Sequence, residues 1–187
     1  TIGSPMQYGY RTKLTPHFDG PPGMRHRKRQ GPKPTFEKVP PIGFMQKGTR
    51  WTIDIEDCPI GTDAVRSGMK SERERVAREI GSYHKGATLL LRESTKRTEK
   101  GEAFSEEEAG SLPEAKLTSK YTETKTCVTD SNAFSTEYID SNVFVNPAGS
   151  FFQNNNSILP VFTQYIRDQI TQSTSTKPLK HLIDAYC

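Results

Sequence analysis

The chain has 187 residues, a formal net charge of +4, 32% hydrophobic residues and a mean hydropathy of −0.73. That length is enough for one ordinary domain with insertions, or for one domain and the start of another. No apolar run approaches the roughly 20 residues of a membrane span, which argues against an integral membrane protein built from spanning helices.

The cysteines are few and scattered. Cys58, Cys127 and Cys187 show neither metal-ligand spacing nor a disulfide framework. This usage is typical of a reducing compartment, so we expect an intracellular protein of the cytoplasm, nucleus or mitochondrion, with no bound metal. No signal peptide opens the chain. Because it begins with Thr1 and not Met, and ends at Cys187 directly after an apolar run, we expect both ends to continue into a longer protein.

The first predicted element is a strand over residues 6–18. Apolar or small residues alternate there with a polar set that includes Arg11 and Lys13. A period of two indicates a half-buried strand with a basic polar face, ended or placed at a sheet edge by Pro16. On the pattern alone, Arg11 and Lys13 are solvated positions on that face.

A segment rich in Gly, Pro and basic residues follows at 19–41, and we expect it to be a mobile loop. Its basic run contains Arg25, Arg27, Lys28 and Arg29. These side chains could contact the phosphates of a nucleic acid, serve as a localisation signal or simply be solvated. If they contact phosphates, neutralising them would weaken binding and flatten its salt dependence.

The next segments predict a scaffold. Residues 42–45 and 51–55 are apolar and alternating around a Gly-containing link, which predicts a β-hairpin. Cys58 follows two acids and is a poor nucleophile candidate, because negative charge disfavours a thiolate. Residues 63–83 carry apolar side chains at spacings of three, four and seven, which predicts an amphipathic helix.

The second half of the chain alternates between predicted order and a charged insertion. Residues 87–92 predict a buried strand, and the charged stretch 94–121 predicts a largely disordered surface insertion. Three short strands, at 124–128, 134–139 and 142–145, predict an antiparallel meander. Residues 158–172 then predict a helix with a broad apolar face, and residues 179–187 an apolar strand.

The turn between the meander and the last helix carries the strongest functional signal. Residues 146–160 place Phe151, Phe152, Gln153 and a run of three Asn ahead of a helix N-terminus. Aromatic faces and an amide, which both donates and accepts hydrogen bonds, could hold a flat polar ring. Without further context, a core Phe pair followed by turn residues would explain the same letters.

The motif in this turn resembles one in a known family. Phe151, Gln153 and Asn155 are similar to the Phe-x-Gln-x-Asn motif of the RNA uracil-C5 methyltransferases. The longer string over residues 148–160 looks like the eukaryotic tRNA (uracil-5-)-methyltransferase branch. Shorter similarities cover residues 10–13, 42–60 and 182–187.

The resemblance implies a fold and a domain division. We expect an α+β protein with an antiparallel β-rich, RNA-facing central domain over residues 1–145, carrying mobile insertions near 19–41 and 94–121. Residues 146–187 would begin the methyltransferase domain, because Leu-Ile-Asp-Ala-Tyr-Cys resembles the first strand of its Rossmann-like sheet. In such sheets a cofactor binds beyond the carboxyl end of the strands.

The resemblance also implies the chemistry. The family transfers a methyl group from S-adenosylmethionine to uracil C5 after a cysteine thiolate adds at C6, on a uridine taken out of its stack. By that analogy Gln153 and Tyr186 contact the cofactor, Phe151 and Gln153 contact the base, and Arg11 and Lys13 contact RNA phosphates. The nucleophilic Cys and the general base have no counterpart in this sequence, so the chain alone is expected to be inactive.

Three functions remain open from the sequence. The first is part of a tRNA methyltransferase that forms 5-methyluridine, with tRNA as its partner. The second is a non-catalytic RNA-binding module, which fits the missing catalytic residues as well. A protein-interaction fragment, in which the basic loop is incidental, is the least specific alternative.

Overall fold

The fold consists of short antiparallel strands with a helix against the sheets and a second helix near the end of the chain. The computed structural model describes residues 3–21, 33–99, 116–117, 121–172, 181 and 183. The strands are β1 (Lys13–Leu14), β2 (His17–Phe18), β3 (Gly43–Met45), β4 (Thr52–Asp54), β5 (Ala87–Thr88), β6 (Leu91–Glu99), β7 (Lys116–Leu117), β8 (Tyr121–Val128), β9 (Phe134–Ile139) and β10 (Asn142–Pro147). The helices are α1 (Asp63–Glu79) and α2 (Leu159–Gln172), with 3₁₀ turns at Ile80–Ser82 and Asn156–Ile158. The predicted α+β class is confirmed.

The described strands form three antiparallel sheets, in the orders β1-β6-β8-β7, β4-β3-β2-β5 and β10-β9. The first two sheets share one stretch of chain. Lys13 of β1 pairs with Arg92 of β6, and four residues later His17 of β2 pairs with both Gly43 and Thr88. The predicted hairpin is confirmed, with β3 paired to β4.

The strand predicted over residues 6–18 is wrong for its first half. Burial alternates only from Thr12 onward, where every second residue is buried: Thr12, Leu14, Pro16 and Phe18. Tyr8 is 67% exposed, and residues 3–10 have no regular structure. Pro16 separates β1 from β2 because it has no N–H for a sheet ladder.

Helix α1 joins the two four-stranded sheets through one apolar stripe, as its sequence period predicts. Val65 and Met69 pack with Leu14 and Leu91 in one core cluster. A second cluster contains Phe18, Ile42, Val76 and Leu89. Burying each of these side chains stabilises the fold by about 1.5–3 kcal/mol. The predicted helix ends four residues early, at residue 79, where the chain tightens into a 3₁₀ turn.

The insertion predicted at 94–121 is wrong at its edges. Residues 94–99 extend β6 and pair with β8 as far as Glu99 opposite Tyr121. Charged residues persist in these strands because they pair across them, as Arg97 does with Glu123 at 2.7 Å. Residues 100–115 and 118–120 lie outside the described residues, as do residues 22–32 with the basic run of the first predicted loop.

The three-stranded meander is also wrong in its pairing. β9 and β10 form their own two-stranded sheet, whereas β8 pairs with β6 and β7. β9 instead lies against β6, where the backbone N–H of Thr136 donates to the hydroxyl of Ser94 at 3.0 Å. β10 continues to Pro147, across the domain boundary expected at 145/146.

The last predicted helix is confirmed as α2, but the last predicted strand is not. Within residues 179–187 only His181 and Ile183 are described, and neither has regular secondary structure. The Rossmann-like ending therefore stays a prediction. No helix in the described part of the chain is long and apolar enough to cross a membrane.

Candidate functional site

The turn that carries the motif is attached to the first strand of the chain. The backbone N–H of Thr12 donates to the carbonyl oxygen of Asn154 at 2.9 Å. The Lys13 ammonium donates to the carbonyl oxygens of Gly149 at 2.8 Å and Ser150 at 3.0 Å. These bonds fix the path of the turn on both sides of its aromatic residues.

A cavity of about 190 Å³ opens where the strand and the turn meet. It is lined by Arg11, Lys13, Thr15, Phe151, Phe152 and Asn154. The structure thus brings together three of the residues predicted to contact substrate, Arg11, Lys13 and Phe151. The two segments are far apart in sequence, so only the fold makes them neighbours.

The two phenylalanines of the motif have different environments. Phe151 is 80% exposed, and its ring makes no aromatic contact with any described residue. Phe152 is half-buried, its ring centre 5.2 Å from that of Phe144. The guanidinium carbon of Arg92 lies 5.8 Å from the centre of the Phe152 ring. One ring anchors the turn, and the other remains available for stacking.

Gln153 follows these rings and is also exposed. Within the described ranges its side-chain amide makes no hydrogen bond, so both its donor and its acceptor are available to a ligand. Tyr186, the other predicted cofactor contact, lies outside the described residues. Whether the two groups converge therefore stays a prediction.

The three asparagines after Gln153 build the turn. The carbonyl oxygen of Asn154 accepts from Thr12. The Asn155 amide donates to the Ser4 hydroxyl at 2.9 Å, and that of Asn156 donates to the Glu137 carboxylate at 3.2 Å. The expectation that these residues supply turn chemistry agrees with these contacts.

A buried charged pair supports the site from below. Arg92 and Glu137 are both about 98–99% buried and form an ion pair. Burial raises the pKa of the Glu137 carboxyl, while the Arg92 charge and the Asn156 hydrogen bond oppose that rise. Two nitrogens of Arg92 have no hydrogen-bond partner among the described residues. Sequence reasoning missed this pair, although an Arg directly after three leucines was a usable signal.

The electrostatics around the cavity are positive. Burial lowers the pKa of the Lys13 ammonium, and the neighbouring Arg92 charge lowers it further. Arg11 is the second cation that lines the cavity, and its Nε donates to the Lys13 carbonyl oxygen at 3.1 Å. An exposed ring beside clustered cations is the combination that binds unstacked nucleotides.

The described part of the chain offers no activated nucleophile or metal site. No group of three or more His, Cys, Asp or Glu side chains could hold a metal there. Burial raises the pKa of the Cys127 thiol to about 11. Cys58 is half-buried and packs against the core cluster around Val65, in agreement with its expected structural role.

Curated relatives confirm the resemblance on which these residues were predicted. The chain is 38% identical over its full length to the tRNA (uracil(54)-C(5))-methyltransferase of Saccharomyces cerevisiae and covers 32% of it. It is also 38% identical over its full length to the protein of the same name from Schizosaccharomyces pombe and covers 29% of it. The chain thus spans about a third of the length of these relatives. No family model matches it.

A solved structure shows a more distant likeness. It is the tRNA (uracil-54, C5)-methyltransferase of Pyrococcus abyssi in complex with S-adenosyl-L-homocysteine. The two chains are 19% identical with a TM-score of 0.48, over 89% of this chain and 43% of the archaeal one. A likeness of this extent supports no conclusion about the site.

Proposed function

We propose that this chain, homologous over its full length to a segment of the tRNA (uracil-C5) methyltransferases, belongs to such an enzyme. In that enzyme it would supply the part that faces the tRNA. The whole enzyme would form 5-methyluridine in tRNA with S-adenosylmethionine as methyl donor. The observation that carries the proposal is the exposed Phe151 ring on one cavity with Arg11 and Lys13.

Phe151 and Gln153 would hold the target base. A uracil must leave its stack before its C5 atom can be reached. The free face of the Phe151 ring can then stack on it, which replaces part of the lost base stacking. The edge of uracil alternates carbonyl oxygens with one N–H, and the Gln153 amide can both donate to it and accept from it.

Arg11 and Lys13 would hold the backbone beside that base. A lysine ammonium has three N–H donors, and Lys13 uses two on the carbonyl oxygens of Gly149 and Ser150. The third is left for a phosphate. Arg11 donates through Nε to Lys13, which leaves the other two guanidinium nitrogens for a phosphate oxygen. Because these contacts ignore sequence, they would position the RNA and not select it.

The residues present fit the cofactor in part. S-adenosylmethionine would supply the methyl group. The exposed amide of Gln153 has no partner in the described ranges and is free to contact it, and Tyr186 is the proposed second contact. We assign the nucleophile and the general base to residues outside this chain, which the raised pKa of the Cys127 thiol supports.

A non-catalytic RNA-binding module is the second candidate. It is favoured by one observation, that the cavity offers contacts to RNA while the described residues offer no activated nucleophile. Such a module would bind RNA through the same residues without transferring a methyl group.

A radiolabelled methyl-transfer assay separates the two. The protein expressed from its complete reading frame and the 187-residue chain are each incubated with labelled S-adenosylmethionine and either tRNA or rRNA fragments. We expect label in 5-methyluridine of tRNA with the complete protein and none with the chain alone. Binding of tRNA without transfer by the complete protein would favour the module. Transfer by the 187-residue chain would overturn the assignment of the nucleophile.

A further inference from the structure

The β3–β4 hairpin ends in an exposed aromatic residue that the proposed site does not use. Trp51, the one tryptophan of the chain, is 74% exposed. No aromatic or cation–π contact among the described residues involves it. A single exposed apolar residue is ordinary, but an exposed apolar patch often marks a binding site, and Trp51 forms one with the exposed Ile53.

The hairpin is anchored at its base and exposed at its end. Phe44 pairs with Ile53 across the strands, so their side chains lie on the same face, and Trp51 shares that face at a spacing of two. Phe44 packs against the core cluster around Val65. Ile53 is 46% exposed, so the apolar face continues from the core outward to the indole.

The turn that connects the strands is well defined. The Thr49 backbone N–H donates to the Gln46 carbonyl oxygen at 3.1 Å, which closes a β-turn. Gly48 has φ +77°, a value that a glycine adopts without strain. The Trp51 backbone N–H donates to the Thr49 hydroxyl at 3.2 Å. Binding at this turn would therefore cost little ordering of the backbone.

The outer end of the hairpin carries positive charge. Residues 45–51 include Lys47 and Arg50, both exposed, and contain no Asp or Glu. The acids nearer its base have partners: Asp54 pairs with Arg73 at 2.9 Å, and Asp19 accepts from the Thr52 hydroxyl at 2.9 Å. An exposed indole on the same turn as two cations suits a chain of bases and phosphates, because the ring can stack on a base while the cations neutralise nearby phosphates. An apolar protein partner would gain nothing from these two charges.

We propose that Lys47, Arg50 and Trp51, the hairpin tip, form a second RNA-binding site that stacks the indole on one unpaired base. This inference rests on the proposed function, since it takes RNA as the partner. Bases in a duplex do not expose their faces, so the site would bind a single-stranded segment or loop of a folded RNA.

The hairpin tip lies within reach of an RNA held at the Phe151 cavity. The path from Lys13 runs four residues to His17, crosses to its partner Gly43 and continues two residues to Met45. At the extension of a strand this path spans at most about 30 Å. One folded RNA can therefore contact both places, and the second contact would raise affinity without touching the target base.

The test uses tryptophan fluorescence and anisotropy on the same protein. A fluorescein-labelled single-stranded oligonucleotide, its duplex and tRNA are titrated into the wild type, Trp51→Phe, Trp51→Ala and the control Phe134→Ala, which removes another exposed ring. We expect the single strand and tRNA to quench Trp51 emission and the duplex to have little effect. Trp51→Ala should weaken tRNA binding about 5- to 150-fold, and Trp51→Phe far less.

Three results would count against the hairpin tip. Unchanged tRNA affinity in Trp51→Ala, with affinity lost in Phe151→Ala, would overturn this inference and leave the proposed function intact. No binding of any RNA by the wild type would overturn both. A protein-concentration-dependent shift of Trp51 emission without RNA would assign the tip to contacts between copies of the chain.

The two cations of the tip are tested by the salt dependence of binding. In the double variant Lys47→Gln, Arg50→Gln, the slope of log K against log salt concentration should become shallower by about 1.4, the value for two lost phosphate contacts on a single strand. An unchanged slope would show that neither side chain contacts a phosphate.

Discussion

The Lys13 ammonium lies 2.8 Å from the carbonyl oxygen of Gly149, a residue 136 positions away in the chain. This bond and its companion to Ser150 link the first strand to the turn that carries Phe151 and Gln153. After β1 the chain passes Pro16 into β2, which pairs with β3 of the hairpin that carries Trp51. Both proposed RNA contacts therefore depend on one short stretch of backbone.

Removing that ammonium should loosen the turn. In Lys13→Met the carbonyl oxygens of Gly149 and Ser150 lose their donor, and we expect stability to fall by about 1 kcal/mol. The free energy of RNA binding should fall by more than the free energy of unfolding, because the exposed Phe151 ring is no longer held over the cavity. Urea unfolding and tRNA titration measure the two effects. Lys85→Met is the control, since the exposed Lys85 makes no hydrogen bond within the described ranges. Equal RNA affinity of the two variants would contradict the role of Lys13.

In the buried pair under Phe152, removing one charge should destabilise the protein more than removing both. Glu137→Gln leaves the Arg92 charge buried without its counterion, so we expect a loss of about 3–5 kcal/mol. The double variant Arg92→Met, Glu137→Leu removes both charges and should recover most of that loss. Chemical denaturation of the three proteins gives the comparison. A double variant that is less stable than Glu137→Gln would contradict this, because it would show that the pair stabilises the fold by more than cancelling the cost of its two buried charges.

Close packing of α1 on β8 should make one helical glycine irreplaceable. A Cβ added at Gly68 would lie 2.2 Å from the Cys127 sulfur and 2.6 Å from its Cβ. We expect Gly68→Ala to cost about 1–3 kcal/mol despite the better helix propensity of alanine. Gly81→Ala is the control, because a Cβ there would meet nothing within 4 Å. Thermal unfolding that shows equal stability for both variants would contradict this packing.

The same contact gives a pH dependence. Burial raises the pKa of the Cys127 thiol to about 11, from an ordinary value of 9.0. The thiol of the unfolded chain therefore loses its proton at a lower pH than that of the folded chain. The contribution of Cys127 to the free energy of unfolding is fully present below pH 9. It is lost as the pH rises towards 11, a change of at most about 3 kcal/mol. Urea unfolding at pH 8 and pH 10.5 tests this, with Cys127→Ala to subtract all other groups. A wild type and a variant with parallel pH profiles would contradict it.

Local patterns predicted the elements well where side chains repeat with a clear period. The stripe of α1, the β3–β4 hairpin and α2 all follow from spacing alone. Pairing between distant strands did not follow, because β8 and β9 are adjacent in sequence yet belong to different sheets. The charged residues of β6 suggested disorder, but cross-strand partners such as Glu123 for Arg97 keep that strand ordered.

The motif predicted the individual residues of the candidate site. The contacts between them join segments that are distant in the chain, and no local sequence pattern predicts those contacts. The alternation of residues 11–14 indicated a basic face, while only the fold places it beside Phe151. The buried Arg92 and Glu137 come from separate strands, so nothing local in the sequence connects them. The bare Trp51 likewise became visible only through its exposure.

The central claim is that the Phe151 ring contacts RNA, and one titration tests it most directly. Fluorescein-labelled tRNA is titrated into the wild type, Phe151→Ala and Phe134→Ala, two variants that each remove an exposed ring, 80% and 65% exposed. Loss of one base–ring stack should weaken binding by Phe151→Ala about 5- to 150-fold, with the melting temperature unchanged and Phe134→Ala like the wild type. Equal affinities for all three proteins would contradict the claim.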